Sequence, residues 1–186
     1  MTPRSVISLG LLLGLSAVSG AHAQDGAAIP KTASAETIDW AARGCNAQRP
    51  FGLRFGEAPS GTPYRLLGGN RQPFERLSLA LTERSGRLFR VETVGMFQEA
   101  PGSTQSDREA GAALFEAVDA RIQTLGGWGH RVRGISRHGD PEVTYSKPVD
   151  GPDSGVTLEI SLMLGGVWMS CEHPDFRQQH VEEVLG

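Results

Sequence analysis

The sequence predicts an α+β fold: an antiparallel sheet of about five or six strands, one main helix packed on one face, and a short C-terminal helix. Three observations carry this prediction. Two pairs of alternating apolar segments, around residues 76–93 and 156–171, fold back on themselves through Ser85-Gly86 and Gly165-Gly166. A long amphipathic segment, residues 106–125, stands between them. One long helix and two hairpins suit two layers rather than a doubly wound parallel sheet.

The elements follow in order. Ser34 is placed to cap a short helix running through Arg43, with Ile38, Ala41 and Ala42 on one side and Gly44 at its end. Phe51, Leu53 and Phe55 alternate with Gly52, Arg54 and Gly56, which predicts a strand facing inward through the three apolar residues. Residues 57–73 read as a Gly/Pro-rich loop. Leu77, Leu79 and Leu81 form the inward side of the next strand. Phe89, Val91 and Thr93 form that of its hairpin partner. In the long segment Ser106 and Glu109 have capping-box spacing. Leu114, Phe115, Val118, Ile122 and Leu125 then recur at helical period, and Gly126 is placed to end the helix. A Gly-rich turn leads to a weakly alternating stretch, Arg131 to Ser136, and to a short strand candidate at Val143–Tyr145. Val156, Leu158, Ile160, Leu162 and Leu164 alternate without a break, and Val167, Met169 and Cys171 continue the inward face on the return strand. Pro174 to Leu185 reads as a short helix presenting Phe176, Val181 and Val184.

The first 23 residues read as a cleavable export signal. Arg4 supplies the basic start, Val6 to Val18 an apolar core of about 13 residues, and Ala21-His22-Ala23 the small residues at a cleavage site before Gln24. The core is shorter than the roughly 20 residues a bilayer span needs. The predicted organisation is therefore 1–23 signal peptide, 24–49 flexible arm with a possible short helix, and 50–186 a single domain, in the periplasm or secreted. Removing 23 of 186 residues leaves 163, and losing Arg4 takes the formal charge from −3 to −4. Such a mildly acidic chain with interspersed charges lacks the basic footprint of a nucleic-acid binder. No later stretch has the length and hydropathy of a membrane span after signal cleavage. In an oxidising compartment Cys45 and Cys171, the two cysteines of the chain, are expected to pair. Closing a loop of about 125 residues corresponds to roughly 4–5 kcal/mol in the chain-entropy picture.

Familiar catalytic signatures fail on inspection. There is no phosphate-binding P-loop. Gly127-Trp128-Gly129 begins like a dinucleotide fingerprint, but Val132 stands where the third Gly belongs. Gly134-Ile135-Ser136-Arg137-His138 misses a nucleophile elbow at its last position. No catalytic residue is assigned and no cofactor is implied. Glu172, His173, Asp175 and His180 are rich in ligand chemistry, so His173, Asp175 and His180 are carried as candidate metal ligands, although their spacing fits no standard zinc pattern. His130 and His138 flank Arg131, Arg133 and Arg137. That basic segment suits an anion, and equally a charged edge strand. Asp140 and Glu142 flank Pro141 as turn residues, while Glu92 and Glu159 fall on the outward phase of strands without an identified partner.

Trp168 and Met163 lie on the phase opposite to their inward-facing neighbours, beside Leu88 and Val94. They mark either an apolar patch on an open sheet face or a surface covered by the terminal helix. Trp128, in the Gly-rich turn, is a third candidate binding residue. These three make a non-catalytic binding module of the bacterial envelope the leading expectation, with an envelope protein or a small ligand as partner. The alternatives are a metal-assisted hydrolase and an inhibitor of an envelope enzyme. Pro50-Phe51-Gly52-Leu53-Arg54-Phe55-Gly56 resembles the opening of small exported bacterial domains of unknown function that begin with an FGxxxG strand. The resemblance covers that motif and the coarse layout of paired strands, helix and paired strands, and it brings no catalytic residues with it.

Overall fold

The computed structural model describes residues 32–46, 49–67, 71–97, 104–148, 154–163 and 165–186. The segment expected to be an export signal, its expected cleavage site and the expected inward placement of Leu164 lie outside the described residues. The fold is α+β, with three α-helices and one antiparallel sheet among the described residues. The sheet has seven strands rather than five or six, in the order β1-β2-β3-β7-β6-β5-β4. These are β1 (Tyr64–Leu66), β2 (Phe74–Leu81), β3 (Leu88–Met96), β4 (His130–Ile135), β5 (Pro141–Ser146), β6 (Thr157–Met163) and β7 (Gly166–Glu172). The helices are α1 (Ala35–Gly44), α2 (Gln105–Leu125) and α3 (Pro174–Leu185).

The two strongest hairpins meet at the centre, where β3 pairs β7. Register then sorts the side chains by face. Val91 lies beside Cys171 and Leu158, Thr93 beside Met169 and Ile160, and Tyr145 and Val143 extend the same row onto β5. This face is buried by α2, through Leu114, Phe115, Val118 and Ile122. Close approach is allowed by glycine. A Cβ on Gly111 would stand 2.6 Å from the backbone nitrogen of Gly166, so α2 rests directly on the β6–β7 turn.

The side of α2 is latched to the sheet by polar groups. The Tyr145 hydroxyl donates to the Asp119 carboxylate, and Arg131 on β4 reaches the same carboxylate with two nitrogens. Burial works against the charge on Asp119, but the Arg131 and Tyr145 hydrogen bonds outweigh it and hold this carboxyl below its usual range. Burial, with the Asp119 contact, pushes the Tyr145 hydroxyl up to about 12. Arg133, also on β4, pairs with Glu116. The basic segment read as a possible anion grip is thus tied to the helix through Arg131 and Arg133.

α1 is capped by Ser34, whose Oγ accepts from Thr37 N–H at 3.1 Å. It packs on α2 and buries Thr37, Ala41 and Ala42. Cys45 then bonds to Cys171 on β7, with Cα atoms 5.4 Å apart.

Several local expectations are corrected. Residues 50–56 form no strand. Pro50–Gly52 is a single 3-10 turn, Phe51 sits at φ 51°, and Gly52 and Gly56 also have positive φ. Leu53 and Phe55 are buried nonetheless. The α2 cap is Thr104 with Asp107, not Ser106 with Glu109. The β2–β3 connection is wider than two residues, with Thr82 N–H donating to Arg87 O and Gly86 N–H to Thr82 O. The second hairpin pairs Met163 with Gly166, so Gly166 belongs to the strand. An irregularity between Ala80 and Leu81 places Leu88 in the core, away from the face of Trp168.

Candidate functional site

The face of the sheet opposite α2 carries the second set of side chains. Across the centre run Val94, Trp168, Ser161, Glu142 and Gly134, one from each of five adjacent strands. The neighbouring row runs Glu92, Ser170, Glu159, Thr144 and Val132. On the other side Met163 lies beside Gly166 and Met96. Small residues alternate here with large ones. Ser161 is short, and Gly134 and Gly166 have no side chain, so Trp168 and Met163 stand as one wall and Glu142 and Glu159 as the other.

The resulting cavity measures about 640 Å³. Its rim is the β4–β5 turn, with Ile135, Ser136, Arg137, His138 and Asp140. Ser136 Oγ accepts from the backbone N–H groups of His138 and Asp140, which shapes that turn. Arg137 Nε donates to His138 Nε2 at 3.0 Å. Met163 is 40% exposed and Ile135 74% exposed, both against the open side. The volume falls within the range of small-molecule sites, roughly 300–1,000 Å³.

The carboxylates dominate the electrostatics. Glu142 and Glu159 are diagonal neighbours on paired strands, since Glu142 lies opposite Ser161 and Glu159 opposite Thr144. Ser161 Oγ donates to Glu142 Oε2 at 3.4 Å. Burial pushes the Glu159 carboxyl up to about 7, helped by the charge of Glu142, a hydrogen bond between the two carboxyls and the charge of Glu172. Arg90 pulls the other way, but Arg90 is shared with Glu92 and Glu172. Burial and the neighbouring carboxylate charge together favour the protonated form of Glu159.

Of the candidate binding residues, the structure brings Trp168 and Met163 to one cavity and sets Trp128 apart. Trp128 leans on Tyr145, with ring centroids 5.7 Å apart, and carries Lys147 Nζ 4.8 Å from its centroid. It belongs to the α2 side of the sheet. The terminal helix does not roof the cavity. α3 packs on β3 at the far end, where His180 stacks on Phe89 at 4.9 Å and Glu183 accepts from the backbone of Arg84 and Ser85 and from Ser85 Oγ.

His173, Asp175 and His180 are not gathered as a ligand set. His173 lies between Phe55 and Phe176, His180 faces Phe89, and Asp175 is exposed in the first turn of α3. Among the described residues, no group of three His, Cys, Asp or Glu side chains is placed to hold a metal ion. Seven residues do span two helical turns. However, the sheet-end aromatics take up both rings, and Pro174 starts the helix after His173.

Glu142 and Glu159 were missed as a pair. The available signal was the outward phase of Glu159 in a strand of alternating apolar residues, diagonal to Trp168 on the return strand, which itself lies opposite Ser161. The adjacency of β5 to β6, which brings Glu142 alongside, is a matter of strand order that local periodicity does not encode. No protein-family model, curated protein or solved structure matches the chain.

Proposed function

We propose that the protein is an exported, non-catalytic binding module of the bacterial envelope that takes its ligand on the open face of its sheet, in the cavity between Trp168/Met163 and Glu142/Glu159. The observation that carries this reading is the meeting of an aromatic ring, a thioether and two carboxyls around one cavity, on a face left open by α2. Apolar walls with a few convergent polar groups are what small-molecule sites use to gain affinity and orientation together. The leader-like residues 1–23 and the Cys45–Cys171 bond support the exported setting. Among the described residues no helix is long and apolar enough to cross a membrane.

Two measurements test the reading. Expression in a Gram-negative host should yield a periplasmic chain whose mass and N-terminal sequence begin at Gln24. Retention of residues 1–23 would contradict export. A fragment screen read by protein-observed NMR should give hits that move Trp168 and that disappear in Trp168→Ala but not in Trp128→Ala. Hits confined to other surfaces would contradict the site.

One observation favours a second reading, an acid–base enzyme. A partly buried carboxyl whose pKa is raised to about 7, as at Glu159, is the arrangement that general acid catalysis draws on. The two readings separate on whether a bound compound is recovered unchanged after long incubation.

A further inference from the structure

The chemistry of the cavity selects among ligands, and the following inference rests on the binding-module reading above. The charged groups around Glu159 come from every neighbouring strand. Glu142 faces it diagonally from β5, with Asp140 farther away at the cavity rim, Glu172 and Trp168 flank it on β7, and Glu92 and Arg90 stand beyond them on β3. Arg90 is engaged by Glu92 at 3.1 Å and by Glu172 at 3.7 Å. The other basic groups, Arg137 and His138, sit on the rim and contact each other. An anion entering the floor would meet two carboxyls. A neutral apolar body would cover them and leave their charge unpaired, which is costly in a partly dry site. A cation would meet charge-assisted acceptors on one wall and the face of an indole on the other.

We propose that this cavity binds a small organic cation, an ammonium head on an apolar body, with the head between Glu142 and Glu159 and the body against Trp168 and Met163. The cation replaces the proton that Glu159 holds in the empty site, and that proton passes to the solvent. Binding is therefore tighter above neutrality than below it. With Glu159 titrating at about 7 in the empty site, affinity should fall by ~10-fold between pH 8 and pH 6. Close to one proton should leave per cation bound at pH 6, and about a tenth of one at pH 8.

The test is isothermal titration of the full mature chain with three probes of one shape: phenethylammonium, its neutral analogue 2-phenylethanol and the anion 3-phenylpropionate. Runs in buffers of different ionisation enthalpy count the protons released. The expected result is that phenethylammonium binds at least ~10-fold more tightly than either analogue at pH 8, a preference consistent with a charge-assisted contact. It should also show the stated pH dependence. Glu159→Gln should weaken the cation by ~10-fold at pH 8 and flatten the pH profile. It is a near-isosteric change that leaves the core untouched. Glu142→Gln should weaken the cation similarly. Equal or tighter binding of the alcohol or the anion would overturn the cation assignment and leave the binding cavity standing. No heat with any probe at millimolar concentration would also overturn the assignment, and the fragment screen with Trp168→Ala then decides the broader reading separately.

Discussion

Replacing Glu159 by Gln should make the protein more stable at pH 8 and leave it nearly unchanged at pH 4. In the folded chain burial and Glu142 push this carboxyl from its ordinary value of 4.5 up to about 7. An acid whose pKa is raised on folding holds its proton more tightly in the native state. Native stability from this group is therefore present below about 4.5, is lost as pH rises through 7, and stays lost above. At about 1.4 kcal/mol per pH unit of displacement the ceiling is roughly 3 kcal/mol. The cavity opens to water on one side, and screening there reduces the expected effect to about 1–2 kcal/mol. Gln keeps the shape and the hydrogen-bonding capacity toward Glu142 without the charge. For a chain of this size that gain corresponds to a rise in Tm of roughly 3–6 °C at pH 8. Thermal unfolding of both proteins, followed by circular dichroism across pH 4 to 8, measures it. A difference that does not change with pH would show that the Glu159 carboxyl is not raised on folding. So would a Gln variant less stable than the parent at pH 8, because the charged carboxylate would then be stabilised by its surroundings.

Other perturbations test the frame that positions the site. Reducing Cys45–Cys171, or replacing both residues by Ala, should cost about 2–5 kcal/mol in denaturant unfolding, since the bond ties α1 to β7 across most of the chain. Gly111→Ala should destabilise by about 1–3 kcal/mol, because the added methyl meets the backbone of Gly166. A helix position without that contact would gain roughly 1 kcal/mol from the same change, so a stabilised variant would contradict the close approach. Tyr145→Phe should cost about 1–3 kcal/mol by leaving the buried Asp119 carboxylate one donor short. Urea unfolding at pH 7 reads it, and an unchanged midpoint would show that Arg131 alone satisfies Asp119.

The fold class and the main hairpins were legible because their signals are local. Strand alternation over residues 156–171 and the apolar stripe of α2 are periodic, and both elements appear where periodicity puts them. The miscounted strands have physical causes. β1 is exposed along its whole length, so Tyr64, Arg65 and Leu66 carry no burial alternation to read. Residues 50–56 alternate in composition, yet positive φ at Phe51, Gly52 and Gly56 bends the chain into turns. Glycine reads as a small strand residue in a pattern and acts as a turn residue in space. The cap of α2 moved because Thr104 and Asp107 have the same spacing as Ser106 and Glu109, and the earlier pair takes the free N–H groups. At the site, Trp168 and Met163 were visible as apolar residues on the wrong phase. Their acidic counterparts were not, because Glu142 reaches them only through the pairing of β5 with β6. The candidate metal ligands failed for the complementary reason. Sequence proximity of His173, Asp175 and His180 did not survive the packing of each ring on a different aromatic partner.

Ligand entry into the open-face cavity and selection of a cation by its carboxyl pair can be read in one experiment. The most direct measurement is an NMR titration of the ¹⁵N-labelled mature protein with phenethylammonium at pH 8. Saturable shifts are expected at the Trp168 indole N–H and at the amides of Glu142, Glu159 and Ser161, with the indoles of Trp128 and of Trp40, on α1, unmoved. Saturable shifts centred on Trp128 or on α3, or no saturable shifts around Trp168, would contradict it.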